Sequence, residues 1–154
     1  MKKAIAITAA GLMSLGIVGT TPALAYHLIP ESTTFDGTGK TSATKSGVTL
    51  PCTADLQGSV DSKGRGSVTG GSFSGQVGCS SVGLLGTPWK ALAKTATTAV
   101  ISNVEFSSPI GNCGPGNLKV KVKNGKITFK NAPLPGGCTI SGTIKTSPTL
   151  SIVP

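Results

Sequence analysis

Between Cys52 and Gly142 one pattern is written twice, and a pair of cysteines closes each copy. The first copy reads Cys52, Leu56, Val60, Val68, Thr69, Cys79, Gly83; the second reads Cys113, Leu118, Val122, Ile127, Thr128, Cys138, Gly142. In both, the second cysteine follows the threonine by ten residues and the glycine follows that cysteine by four. The main length difference falls between Val60 and Val68, where Asp61 to Gly66 makes a longer turn than Lys123 to Lys126 does in the second copy. Repeated hairpins are expected to differ in this way, because exposed tips tolerate insertion. The repeat units therefore run over residues 52–83 and 113–142.

Four cysteines allow three pairings. A duplicated unit favours the local one, Cys52 with Cys79 and Cys113 with Cys138, each closing a loop of roughly 25 residues worth about 3 kcal/mol on the loop-entropy account; a crossed pairing between units is the alternative. No cysteine pair has the short spacing of a zinc knuckle and the single histidine, His27, is far away in sequence, so no metal site is predicted.

Residues 1–25 read as an export signal. Lys2 and Lys3 precede an apolar run from Ala4 to Val18, and Ala23-Leu24-Ala25 supplies the small-x-small site that predicts cleavage after Ala25. The run is shorter than the ~20 residues of a membrane span, and no cysteine follows the cleavage site to carry a lipid anchor. A secreted or periplasmic chain starting at Tyr26 is the expectation, in a compartment where disulfides form. Residues 26–154 then make one domain. Gly, Ser and Thr supply 59 residues of the full chain against one Trp, one Tyr and four Phe, which suits tight turns and Thr/Val-rich strands around a thin core that disulfides must support. The predicted fold is all-β, a sandwich-like or barrel-like single domain carrying the two disulfide-closed hairpin repeats. Without Lys2 and Lys3, twelve basic side chains face five acidic ones, a net charge of about +7 that favours anionic surfaces.

From Tyr26 to Leu50 the pattern predicts an extended arm, a turn at Asp36-Gly37 and a first strand leading into Pro51. Ser80 to Asn112 reads as two strands, with Val100, Val104 and Phe106 alternating and Ala91 to Lys94 long enough for one helical turn at most. Leu84, Leu85 and Trp89 have two readings, a packed core or an apolar contact patch on the surface. The clearest hairpin is in the second copy: Leu118, Val120 and Val122 alternate with lysines, Asn124-Gly125 is a type I′ turn pair, and Ile127 and Phe129 alternate on the return. Setting Lys123 opposite Lys126 places Lys119, Lys121, Lys123, Lys126 and Lys130 on one face. That face reads either as protection against sheet aggregation or as a surface for anions, with no aromatic residues to stack nucleic-acid bases. Residues 149–154 form a last alternating strand, of the kind used in donor-strand pairing.

No catalytic constellation emerges. His27 has no nucleophile at a meaningful spacing, no Gly-x-Ser-x-Gly elbow or phosphate loop is present, and one histidine with four paired cysteines builds no di-iron, haem or copper centre. No cofactor and no enzyme activity are predicted.

The segments Tyr26 to Glu31, Gly47 to Cys52, Gly86 to Lys90, Cys113 to Gly116 and Gly137 to Thr143 together resemble the PraB-like family of secreted alkane-oxidation protein activators from pseudomonads. The resemblance spans nearly all of the chain after residue 25. It implies an exported, non-enzymatic protein that promotes growth on long-chain alkanes by helping hydrocarbon disperse or reach the cell, with alkane droplets or the bacterial surface as partners. It carries over no catalytic or binding residues. A cell-surface adhesin or matrix fibre subunit, held by the lysine face and the C-terminal strand, is the alternative.

Overall fold

The computed structural model describes residues 26–154, and the export signal expected over residues 1–25 lies outside them. The described residues form strands β1 (His27–Ile29), β2 (Thr33–Lys45), β3 (Val48–Val60), β4 (Gly66–Gly75), β5 (Gly83–Leu85), β6 (Trp89–Ala93), β7 (Thr98–Ser107), β8 (Cys113–Lys123), β9 (Lys126–Leu134), β10 (Cys138–Ser147) and β11 (Ser151–Val153). One 3₁₀ turn, Cys79–Ser81, sits between β4 and β5. The main sheet runs β6-β4-β3-β2-β10-β9-β8-β7 with every pairing antiparallel, and β7 pairs with β6 as well as with β8. It thus closes into an eight-stranded barrel. Beyond an interruption at Gly86 to Pro88, β5 takes the place of β6 along the second half of β7.

The duplicated pattern is a pair of half-barrels. β2-β3-β4-β5/β6 and β7-β8-β9-β10 follow one another around the wall, with Leu56 and Leu118, Val60 and Val122, and Val68 and Ile127 at matching places in β3/β8 and β4/β9. Each half carries its own disulfide, Cys52–Cys79 and Cys113–Cys138, both with Cα atoms 5.7 Å apart, as the repeat predicts. The β8–β9 hairpin has the expected register, Val122 opposite Ile127 and Lys123 opposite Lys126. Asn124 and Gly125 turn it with φ of 50° and 72°, the positive pair that a type I′ turn demands.

Elsewhere the structure departs from the sequence pattern. Asp36 and Gly37 are not a turn: they lie inside the long strand β2, where Gly37 faces the interior and a Cβ would stand 2.7 Å from Ile144 Cγ2. The turn falls at Ser46-Gly47 instead, with φ of 51° and 77°. Three strands, not two, join the repeats, and Ala91 belongs to β6 rather than to a helical turn. Val100 also leaves the predicted face. A register shift between Ile101 and Val104, with Asn103 at φ 58°, inserts a residue into β7, so Val104 and Phe106 point inward while Val100 stands outside between Leu92 and Lys119.

The barrel ends are closed differently. At one end the two disulfides lie under the loops, with Leu50, Phe73, Val82 and Ile110 packed around Cys52 and Cys79. At the other, β1 and β11 pair into a two-stranded ribbon, His27 opposite Val153 and Leu28 opposite Ile152, so that both ends of the described chain meet. Leu28 and Leu150 plug into the barrel beneath it, 4% and 1% exposed. Two backbone hydrogen bonds moor the ribbon, from Leu28 N to Gly64 O at 2.9 Å and from Gly125 N to Leu150 O at 3.0 Å.

Candidate functional site

Alternation along closed strands sends every second side chain inward, and in an eight-stranded barrel the space inside either fills with side chains or holds one small ligand. Here it is not filled. The inward positions of β2 after Phe35 are Gly37, Gly39, Thr41 and Ala43, too small to meet the opposite wall. A cavity of about 130 Å³ remains. It reaches from Leu28, Phe35 and Leu150 beneath the ribbon to Leu50, Phe73 and Val82 near the disulfide end. No charged residue lines it, and its polar members are the hydroxyl residues Thr41, Ser42, Ser67 and Ser108. Its size is close to that of an engineered apolar cavity of ~150 Å³ that stays dry and takes up benzene.

Of the candidate apolar contacts, Trp89 is 6% exposed and both Trp89 and Leu84 line this cavity. The indole Nε1 donates to Leu85 O at 2.7 Å, which satisfies its one polar atom and holds the ring inside. Leu85 is half-buried, opposite Glu105. The three residues therefore do not form a surface patch; two of them face the interior instead. The candidate basic residues Lys119, Lys121, Lys123, Lys126 and Lys130 are all exposed on the outer wall. Lys40 and Lys145, missed in the sequence, join them, because β2 and β10 follow β9 around the barrel. His27 lies half-buried in the ribbon with Nε2 3.4 Å from Glu31 Oε1, an ion pair when the imidazole is protonated.

Polar side chains outside and apolar ones inside are the reverse of a membrane-spanning barrel, which turns an apolar band toward lipid. The large hydrophobic side chains exposed among the described residues, Val48, Val77 and Leu92, are scattered over separate strands and loops. No described helix is long and apolar enough to cross a membrane.

A family model described as alkane oxidation protein activator, PraA/PraB-like, matches residues 1–154. The chain belongs to this family. No curated protein and no solved structure matches it. The match to the alkane oxidation protein activators takes in the whole chain, both cysteine pairs and every cavity-lining strand included. The family name places the chain among activators of alkane oxidation and names no catalytic activity.

Proposed function

We propose that this protein is a secreted, non-enzymatic activator of alkane oxidation that takes up single hydrocarbon chains and carries them through water toward the cell. The observation that carries this reading is the unfilled, uncharged barrel interior, whose chemistry suits an apolar molecule such as an alkane. At about 130 Å³ the cavity holds a stretch of alkyl chain. The remainder of a long chain would extend past Leu28 and Leu150, displacing the ribbon of β1 and β11. This lid is a ribbon of only three residue pairs, and elements with so few contacts are among the first to open. Transfer from an oil droplet into such a cavity gains no hydrophobic free energy, since both sides are apolar, so the protein acts as an exchangeable carrier and not as a sink. The fibre-subunit reading finds less support, because β11 is already paired with β1 of its own chain.

Trp89 provides the test. A terminally brominated long-chain alkane seated in the cavity touches the indole and quenches its emission, saturating near one alkane per protein, while aqueous iodide does not reach it. Replacing His27 and Val153 by cysteine places two thiols on directly paired residues, within the Cα range of a disulfide. Oxidation should then block quenching and reductant, at a strength that spares the buried native disulfides, should restore it. Quenching that never saturates, or that ignores the lock, would overturn uptake under the lid.

A further inference from the structure

From the register of the outer wall we infer that β8, β9, β10 and β2 form a docking surface for a membrane rich in anionic lipid headgroups. Lys123 is paired with Lys126, and Lys126 with Lys145, so three lysines stand side by side on three adjacent strands. In the next row Lys121 and Lys40 lie at the two ends of a run through Thr128 and Thr143. None of these ammonium groups has a carboxylate partner: the two ion pairs among the described residues are His27 with Glu31 and Arg65 with Asp61. The acidic residues Asp36 and Asp55 stand at the β2–β3 margin, where Asp55 accepts a hydrogen bond from Thr38 at 2.7 Å.

Like charges directly opposite one another destabilise a sheet. Lysines are often tolerated in this arrangement because they guard an open strand edge, but Lys121, Lys126, Lys145 and Lys40 each have a paired residue on the strand to either side and guard no edge. The repulsion is relieved by a polyanion from outside. The wall is convex and its outward positions are mostly Lys, Thr, Ser and Asn, with Asp36 the one carboxylate on these four strands and no aromatic residue, which leaves nothing on which nucleic-acid bases would stack. Lysines are point charges on flexible stems, without the fixed fork by which arginine grips a single phosphate in two places. They suit many headgroups spread over a plane, and a juxtaposed anionic lipid surface rewards each of them separately. This surface is independent of the cavity, and it gives a carrier a place to deliver its load.

The test is co-sedimentation of the mature protein with vesicles of phosphatidylglycerol and phosphatidylcholine in equal parts, at low and high salt. Lys123→Gln, Lys126→Gln and Lys145→Gln together should lower binding on the order of 100-fold, roughly fivefold for each lysine. Lys63→Gln, Lys90→Gln and Lys94→Gln remove the same charge from other parts of the barrel and should cost only a few-fold. The three wall lysines changed to arginine should keep binding. High salt should abolish it, because screening acts over about 10 Å at 0.1 M. Bromoalkane quenching of Trp89 should be the same in all variants, which separates this proposal from the carrier reading. Equal losses from the two glutamine triples, undiminished binding to pure phosphatidylcholine, or preference for a soluble polyuronate over vesicles would each overturn it.

Discussion

Replacing Ala43 by leucine asks whether the barrel interior is usable space. Ala43 lines the cavity, and its cross-strand partners Leu50 and Ile140 are both 7% exposed, so its own partial accessibility faces the interior. An unfilled space of about 130 Å³ costs on the order of 3 kcal/mol at ~24 cal/mol per Å³. Leucine adds three carbons, worth roughly 2 kcal/mol at ~0.8 kcal/mol each, which is within that ceiling. For residues 26–154 an unfolding entropy of ~2.1 cal/mol/K per residue converts this into a rise in Tm of about 7 °C. The same side chain occupies the room an alkyl chain needs. Thermal unfolding followed by circular dichroism, with and without dodecane, is the assay: the variant should melt higher without ligand, gain nothing from dodecane, and lose Trp89 quenching by bromoalkane at least tenfold. A fall in Tm would show that the space is not open to a side chain, and a raised Tm with quenching intact would place the ligand elsewhere. Either result refutes the reasoning.

Three further outcomes follow from the same structure. Thr146, 4% exposed, donates to Gly125 O at 3.1 Å and accepts from Leu150 N at 3.0 Å; Thr146→Val keeps the shape but strands the Leu150 N–H, and should cost about 1–3 kcal/mol in denaturant unfolding while speeding alkane exchange through a looser ribbon. Changing Cys113 and Cys138 together to alanine should cost about 2–5 kcal/mol, with Cys52 and Cys79 still recovered as one linked peptide in a non-reducing digest. The Asp61 carboxyl is held down to about 2, chiefly by the backbone N–H of Arg65 and then by its guanidinium and the Lys63 N–H. Since the folded pKa lies below the unfolded one, the order this turn contributes is complete above about pH 4 and lost as pH falls toward 2; amide shifts of Lys63 and Arg65 should titrate near pH 2, and a midpoint near 4 would refute the capping.

What the sequence made legible was local and periodic. The cysteine pairing, the β8–β9 register and the outward lysines all follow from spacing within one hairpin or one repeat, and the structure has them. The cavity was hidden because it comes from the inward alternation of Gly37, Gly39, Thr41 and Ala43, and Asp36-Gly37 carries the residue chemistry of a turn. Nothing in a single strand shows that the small residues on β2 leave room that the opposite wall does not fill. Trp89 was ambiguous for a related reason: its Leu84 and Leu85 neighbours look like a surface patch until the hydrogen bond to Leu85 O turns the indole inward. Lys40 and Lys145 joined the basic wall only through closure, which brings β10 and β2 beside β9 although the duplicated pattern places them in different halves.

Because His27 lies opposite Val153, anything attached to either end of residues 26–154 is attached to the lid. An affinity tag at either terminus would hang over the ribbon that the carrier reading has opening, and a slow exchange rate measured on such a protein would report on the tag. The same proximity makes circular permutation simple. A linker of two to five residues joining Pro154 to Tyr26 would turn the ribbon into a continuous hairpin, of the length that hairpin loops commonly have. New ends could be opened at Ala96, exposed between β6 and β7 and away from both disulfides. Such a permutant keeps the eight barrel strands and their registers while joining the two strands of the ribbon covalently. Its exchange rate against that of the natural chain order would measure how far the opening of the barrel depends on the parting of β1 from β11.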